Sequence, residues 1–161
     1  MIGVDEADQL ALASSRYHHM QRVSCLMGEA ARQLDADLSL WRLVGLLHDL
    51  DYDSTEGNRD KHGLLAAQML DGKLSEEGLD AIRCHDHRTG LKPQTDLDYS
   101  LILCDAVSLI IEESGRGTPI GFDDFKELSD NVAMQKPWLK RLVFENPLLD
   151  RIDLGRLLES E

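Results

Sequence analysis

All six histidines of this 161-residue chain, His18, His19, His48, His62, His85 and His87, fall in its first 87 positions. Imidazole nitrogens combined with carboxylate oxygens form a donor set for manganese, iron, cobalt, nickel or zinc, whereas an all-oxygen shell suits magnesium or calcium. The pair His48-Asp49 is the sharpest element. It follows the apolar run LVGLL, so two strong ligands enter an interior where an unpaired carboxylate costs several kcal/mol and a bound cation relieves that cost. Asp105, inside SLILCDAVSLII, makes the same demand independently. A lone histidine is more often a hydrogen-bonded core or surface residue than a ligand. The metal reading rests on the set, in which about one well-placed histidine recurs per expected helix, as convergence inside a helical bundle requires. Asp51, Asp53 and Asp86 read as loop or cap carboxylates, and His87 lies at a helix end.

The elements that must position these side chains are helical. Ser14 or Ser15 can cap a helix running to about Leu34, with Val23, Leu26, Met27, Ala30 and Leu34 at helical spacing. His19 continues that stripe, whereas His18 shares a more polar face with Arg22 and Glu29. Asp37 or Ser39 can cap the next helix, which is apolar on nearly every side and ends at His48-Asp49. After the polar loop DYDSTEGNRD, a helix is expected from about Lys61 to Leu70, with His62 in its first turn and Asp71-Gly72 as its stop. Ser75 opens a short helix ending near His87, and a long apolar helix from about Leu97 to Glu113 carries Asp105 before Gly115 and Gly117. Two or three shorter amphipathic helices follow, with Pro137 and Pro147 at their boundaries.

Composition bounds the possibilities. Apolar residues at 42%, few aromatics and four prolines favour an all-α fold. With no repeat or linker, the expectation is one domain over residues 1–161, with a metal-binding core at about 15–113 and a helical extension at about 120–161. A net charge of −13 argues against extended nucleic acid as a partner. No run of eighteen apolar residues is present, so no membrane span is expected. Three cysteines without a CxxC pair, Cys25, Cys84 and Cys104, suit free thiols in a reducing cytoplasm. No nucleophile-elbow serine motif, P-loop or dinucleotide glycine motif appears.

In order and context, His19 in HHMQRV, His48-Asp49 in GLLHDLDYD, His62 in KHGLLAAQML, His85 in AIRCHDH and Asp105 in LILCDAV resemble the HD-domain superfamily of metal-dependent phosphohydrolases. The resemblance spans roughly Ser15 to Ile111. It implies an HD-type helical bundle in which His19, His48, Asp49 and Asp105 hold one divalent ion. His62 and His85 stand where two-metal members add ligands, so it also implies that Asp49 can bridge a second ion.

The implied activity is hydrolysis of a small phosphomonoester or phosphodiester, nucleotides included, by a metal-activated water with His48 and Asp49 at the reacting centre. Arg59, Lys61, Arg83 and Arg88 are the sequence candidates for phosphate contact. The resemblance admits two other readings, a di-iron oxygenase and a metal-stabilised regulatory domain without turnover. Tyr52 stands where some two-metal relatives carry a substrate-binding lysine, which leaves that lysine unassigned and weakens the oxygenase reading.

Overall fold

Side chains that reach back to backbone N–H groups mark where several helices begin, and together the helices follow the expected order. In a computed structural model that describes residues 1–115 and 120–160, the described residues form nine α-helices and no strand. They are α1 (Val4–Leu12), α2 (Tyr17–Gln33), α3 (Leu38–Leu47), α4 (Leu64–Met69), α5 (Glu76–Cys84), α6 (Asp96–Ser114), α7 (Phe122–Ala133), α8 (Pro137–Phe144) and α9 (Leu154–Glu159). Asp37 caps α3 by accepting from Leu40 N–H, and Ser75 caps α5 by accepting from Gly78 N–H. Thr95 and Asp98 form a reciprocal capping box on α6, which Gly115 ends in the left-handed conformation. Gly117, the other expected stop, lies outside the described residues.

Four local expectations need correction. The helix expected behind Ser14 or Ser15 begins at Tyr17 with no side-chain cap, because Ser14 accepts from Arg16 N–H and Ser15 turns to Asp53. Helix α1 was not anticipated; it buries Ala7 and Ala11, residues too small to give a strong apolar signal. Helix α4 starts at Leu64, not Lys61, and His62 precedes it in an extended conformation. Helix α5 ends at Cys84, and His87 belongs to a separate 3-10 turn, His87–Thr89.

The core is built on α2, α3 and α6. Helices α2 and α3 cross closely because Gly45 has no side chain. A Cβ there would stand 2.9 Å from the Ser24 Cα, well inside van der Waals contact. Ser24 strengthens the crossing by donating to Arg42 O at 2.9 Å. Met20, Val23 and Met27 of α2, Val44 and Leu47 of α3, and Leu101, Cys104 and Val107 of α6 are wholly excluded from solvent between these helices. Helices α7 and α8 lean on the outer side of α6 through Phe125, Leu139 and Val143. No helix among the described residues is long and apolar enough to cross a membrane.

Candidate metal centre

Three consecutive backbone decisions create the site. The α2 register that buries Val23 and Ala30 also buries His19 and leaves His18 exposed. Helix α3 ends with His48 as its C-cap, so Asp49 follows immediately from the first of several tight turns. Helix α6 then carries Asp105 past both, one turn before Ser108.

The six expected residues converge. Asp105 Oδ1 lies 3.0 Å from His19 Nε2 and 3.7 Å from His48 Nε2. Asp49 is central: its Oδ1 is 3.0 Å from His62 Nε2, 3.3 Å from His48 Nε2 and 3.5 Å from His85 Nε2, while its Oδ2 is 3.7 Å from His19 Nε2. Two compact donor groups result, His19–His48–Asp105 and His48–Asp49–His85, each close enough to share one ion. His62 adjoins the second through Asp49.

The opposite ring nitrogen fixes each imidazole. His48 Nδ1 donates to Gly45 O at 2.8 Å and His85 Nδ1 to Ile82 O at 2.7 Å. His62 Nδ1 is 2.8 Å from Asp51 Oδ1, and His19 Nδ1 is 3.0 Å from the Ser108 hydroxyl. A carbonyl only accepts, so His48 and His85 carry hydrogen on Nδ1 and present Nε2 to the carboxylates. His19 Nε2 and His48 Nε2 are buried without a hydrogen-bond partner. A lone pair facing a carboxylate is repulsive, and either a proton or a cation between them removes the repulsion. The arrangement therefore fits a divalent metal: neutral nitrogens and anionic oxygens surround common points, and the tautomers are set by groups outside.

Protonation without metal follows the same logic. Burial disfavours charge on His19, but the Asp105 and Glu112 carboxylates outweigh it and raise its pKa to about 9. Burial likewise opposes His62, and Asp49 with Asp51 raises it to about 9. His85 is also raised, Asp49 overcoming its burial. Burial would push Asp49 and Asp105 up, yet the surrounding imidazoles hold both well below the usual carboxylate range. The Asp105 side chain is 20% exposed, against 5% for Asp49, so the centre opens to solvent beside Asp105.

Sequence reasoning missed three supports. Asp51, read as a loop or cap carboxylate, is fully buried. Besides holding His62, its Oδ2 accepts from Gly63 N–H at 2.8 Å and Ala66 N–H at 3.0 Å, capping α4 from thirteen positions upstream of Leu64. Gly63 is required there by its φ of +84° and by Ile82 O, which would lie 2.5 Å from a Cβ. Arg16 bridges Asp49 Oδ2 at 3.5 Å and Glu112 Oε2 at 3.2 Å, and so helps keep both ionised. The DLDYD spacing held the only signal for Asp51, and nothing local announced Arg16 or Glu112. Asp53 and Asp86 match their reading: Asp53 accepts from Ser15, and Asp86 caps the 3-10 turn at Arg88 N–H.

Among the described residues, the four cationic candidates form no ion pair with Asp49 or Asp105, but Arg59 stands beside the cluster through Tyr52, whose ring meets His62 edge-on with centroids 5.7 Å apart. Arg83 is engaged by Glu76 and Asp80 on the outer face of α5, and Arg88 by Asp86. Arg59 stacks 3.9 Å over the Tyr52 ring and donates to Tyr52 O at 2.7 Å. Lys61 is exposed. Burial pushes the Cys84 thiol up to about 12 and Cys104 higher still, which disfavours a thiolate at either position.

The family model of the HD domain matches residues 16–110, more than half of the chain and all six converging residues. The chain belongs to the HD-domain family. Its HD pair is His48-Asp49 at the end of α3. No curated protein and no solved structure matches the chain significantly.

Proposed function

We propose that this HD domain is a metal-dependent phosphohydrolase acting on a small phosphomonoester or phosphodiester, nucleotides among them. The observation that carries the reading is the convergence of four imidazole Nε2 atoms on Asp49 and Asp105 with every Nδ1 held from behind. His19, His48, Asp49 and Asp105 would hold one divalent ion, and Asp49, His62 and His85 a second. A transition-metal ion in that donor set supplies a water acidic enough to be deprotonated near neutral pH and charge to neutralise phosphoryl oxygens. Asp49 has a different oxygen facing His19 than faces His62, the disposition a bridging carboxylate needs. The open side at Asp105 gives a phosphoryl group access, and Arg16 and Glu112 hold the rim in place.

The test is hydrolysis of a panel of phosphomonoesters and phosphodiesters by protein loaded with manganese, cobalt, nickel, zinc or iron, with Asp49→Ala as control. Turnover that requires metal and vanishes in Asp49→Ala is the expected result. Bound metal needed for folding, with no turnover across the panel, would instead favour a regulatory domain. About two irons per chain after anaerobic purification, with oxygen consumption, would favour an oxygenase.

A further inference from the structure

Asp105 is followed on the same face of α6 by Ser108 and Glu112, three and seven residues further on. From the α2 side, Arg16 stands three residues before His19 and Arg22 three residues after it. These side chains form a polar cluster on the far side of the His19 ring from Asp105. His19 Nε2 is 3.0 Å from Asp105 Oδ1, whereas Nδ1 is 3.0 Å from the Ser108 hydroxyl and 3.4 Å from Glu112 Oε1. Arg22 Nη1 lies 3.7 Å from the same Glu112 oxygen and 3.5 Å from the Ser108 hydroxyl. Arg16 Nη1 donates to Glu112 Oε2 at 3.2 Å, and its Nε is 3.5 Å from Asp49 Oδ2.

His19 is backed differently from the other three imidazoles. His48 and His85 lean on backbone carbonyls, and His62 on the buried carboxylate of Asp51, all of them pure acceptors. A hydroxyl can accept from Nδ1 or donate to it, so Ser108 alone leaves His19 free to carry its hydrogen on either nitrogen. A carboxylate only accepts. Glu112 beside the same nitrogen therefore favours hydrogen on Nδ1 and leaves the Nε2 lone pair for a cation, and its negative charge makes that lone pair more basic. The Glu112 side chain is 29% exposed and the His19 side chain 1%, so an unrestrained Glu112 could turn to water. Arg16 holds one of its oxygens, and Arg22 lies against the other.

We infer that Glu112 is a positioning residue of the candidate metal centre: acting through His19 Nδ1, its carboxylate selects the tautomer that presents Nε2 to a divalent ion, and Arg16 and Arg22 hold it for that task. Glu112 lies beyond residues 16–110, the stretch that the HD family model matches. The inference rests on the divalent-ion part of the proposed function and is independent of the substrate.

The test is the tightest manganese dissociation constant, read from free manganese by electron paramagnetic resonance, in wild type, Glu112→Gln, Glu112→Ala and Glu113→Ala. Glu112→Gln keeps the side-chain shape and removes the charge, and circular dichroism checks that each variant is folded. Glu113 carries the same charge one residue on, exposed and paired with Lys136, so Glu113→Ala controls for a general loss of negative charge. Both Glu112 variants are expected to weaken manganese by about tenfold or more, the scale for an outer partner of a metal-bound histidine, and Glu113→Ala to leave it unchanged. In zinc-loaded protein the His19 Nδ1 proton resonance should move upfield in Glu112→Gln, as a hydrogen bond to a charged acceptor is lost, a shift that a purely structural role would not produce. Manganese affinity unchanged in Glu112→Gln, or lowered equally by Glu113→Ala, overturns the inference, as does an Nδ1 resonance that stays in place. Manganese binding that depends on Glu112 without turnover of any phosphoester supports the inference and removes the phosphohydrolase reading. Metal-dependent hydrolysis, with Glu112→Gln binding manganese as the wild type does, overturns the inference and leaves the phosphohydrolase reading standing.

Discussion

The two sides of the candidate metal centre are mounted by different means. His19 and Asp105 project from within α2 and α6, long helices whose neighbouring residues are locked into the core. His62 stands in an extended residue before α4, and His85 is the C-cap of α5. On the first side helix packing sets the position and Ser108 adds one hydrogen bond behind His19; on the second, hydrogen bonds set it, Asp51 and Ile82 O accepting from His62 and His85, and Asp51 also from Gly63 N–H. Packing spreads a constraint over many contacts, whereas a hydrogen-bonded turn concentrates it in a few atoms. The sides should therefore fail differently when single residues are changed.

The largest effect belongs to the residue both sides share. Asp49→Ala removes the carboxylate that faces all four imidazoles, so metal on both sides and all activity should be lost. Elemental analysis beside circular dichroism measures this, and a variant that folds and keeps its metal would break the picture of a shared centre. Next comes Asp51→Ala, which strands the buried Gly63 and Ala66 N–H groups together with His62 Nδ1. The expected cost is about 3–5 kcal/mol in denaturant unfolding, from several unsatisfied buried donors. Metal should be lost from the His62 side first. Wild-type stability and stoichiometry would show that the turn does not depend on that carboxylate.

The same contrast explains what was legible in the sequence. His19 could be placed from helical phasing because Val23, Leu26 and Ala30 continue its face, and Asp105 because Leu101, Ile102 and Leu109 flank it at helical spacing. The choice of His19 over His18 rested on that register, and the structure buries one and exposes the other. His62 could be recognised by context but not by conformation. Its helix start is set by Asp51 across the DYDSTEGNRD turns, a long-range cap that no local spacing encodes. Arg16 and Glu112 meet only because α2 and α6 pack together, being 96 positions apart in sequence. The cationic candidates Arg83 and Arg88 were near the ligands in sequence, but each is held by acidic residues close by on its own element.

A smaller effect, dependent on pH, separates the metal-free centre from the loaded one. His19 and His62 have folded pKa values of about 9, above an unfolded value of 6.5. Their charged forms thus contribute stability that is fully present below about pH 6.5 and lost as pH rises through about 9. Chelator-treated protein should show a falling Tm across that window, while metal-loaded protein, in which a cation takes the place of the protons, should hold its Tm there. Parallel Tm curves with and without chelator would mean that metal and proton do not compete for the same nitrogens. The smallest effect is expected at the exposed neighbour: His18→Ala should leave metal content unchanged, and His19→Ala should lower it. Equal losses would contradict the α2 register as the basis of the site.

The most direct test of the two-sided centre is metal per chain on manganese-saturated, dialysed protein, wild type against His62→Ala. The account predicts about two ions falling towards one. The first site should survive because it retains the two carboxylates of Asp49 and Asp105, and His19 and Asp105 remain held by packing. A wild type that never exceeds one ion, with His62→Ala indistinguishable from it, would contradict the second side altogether.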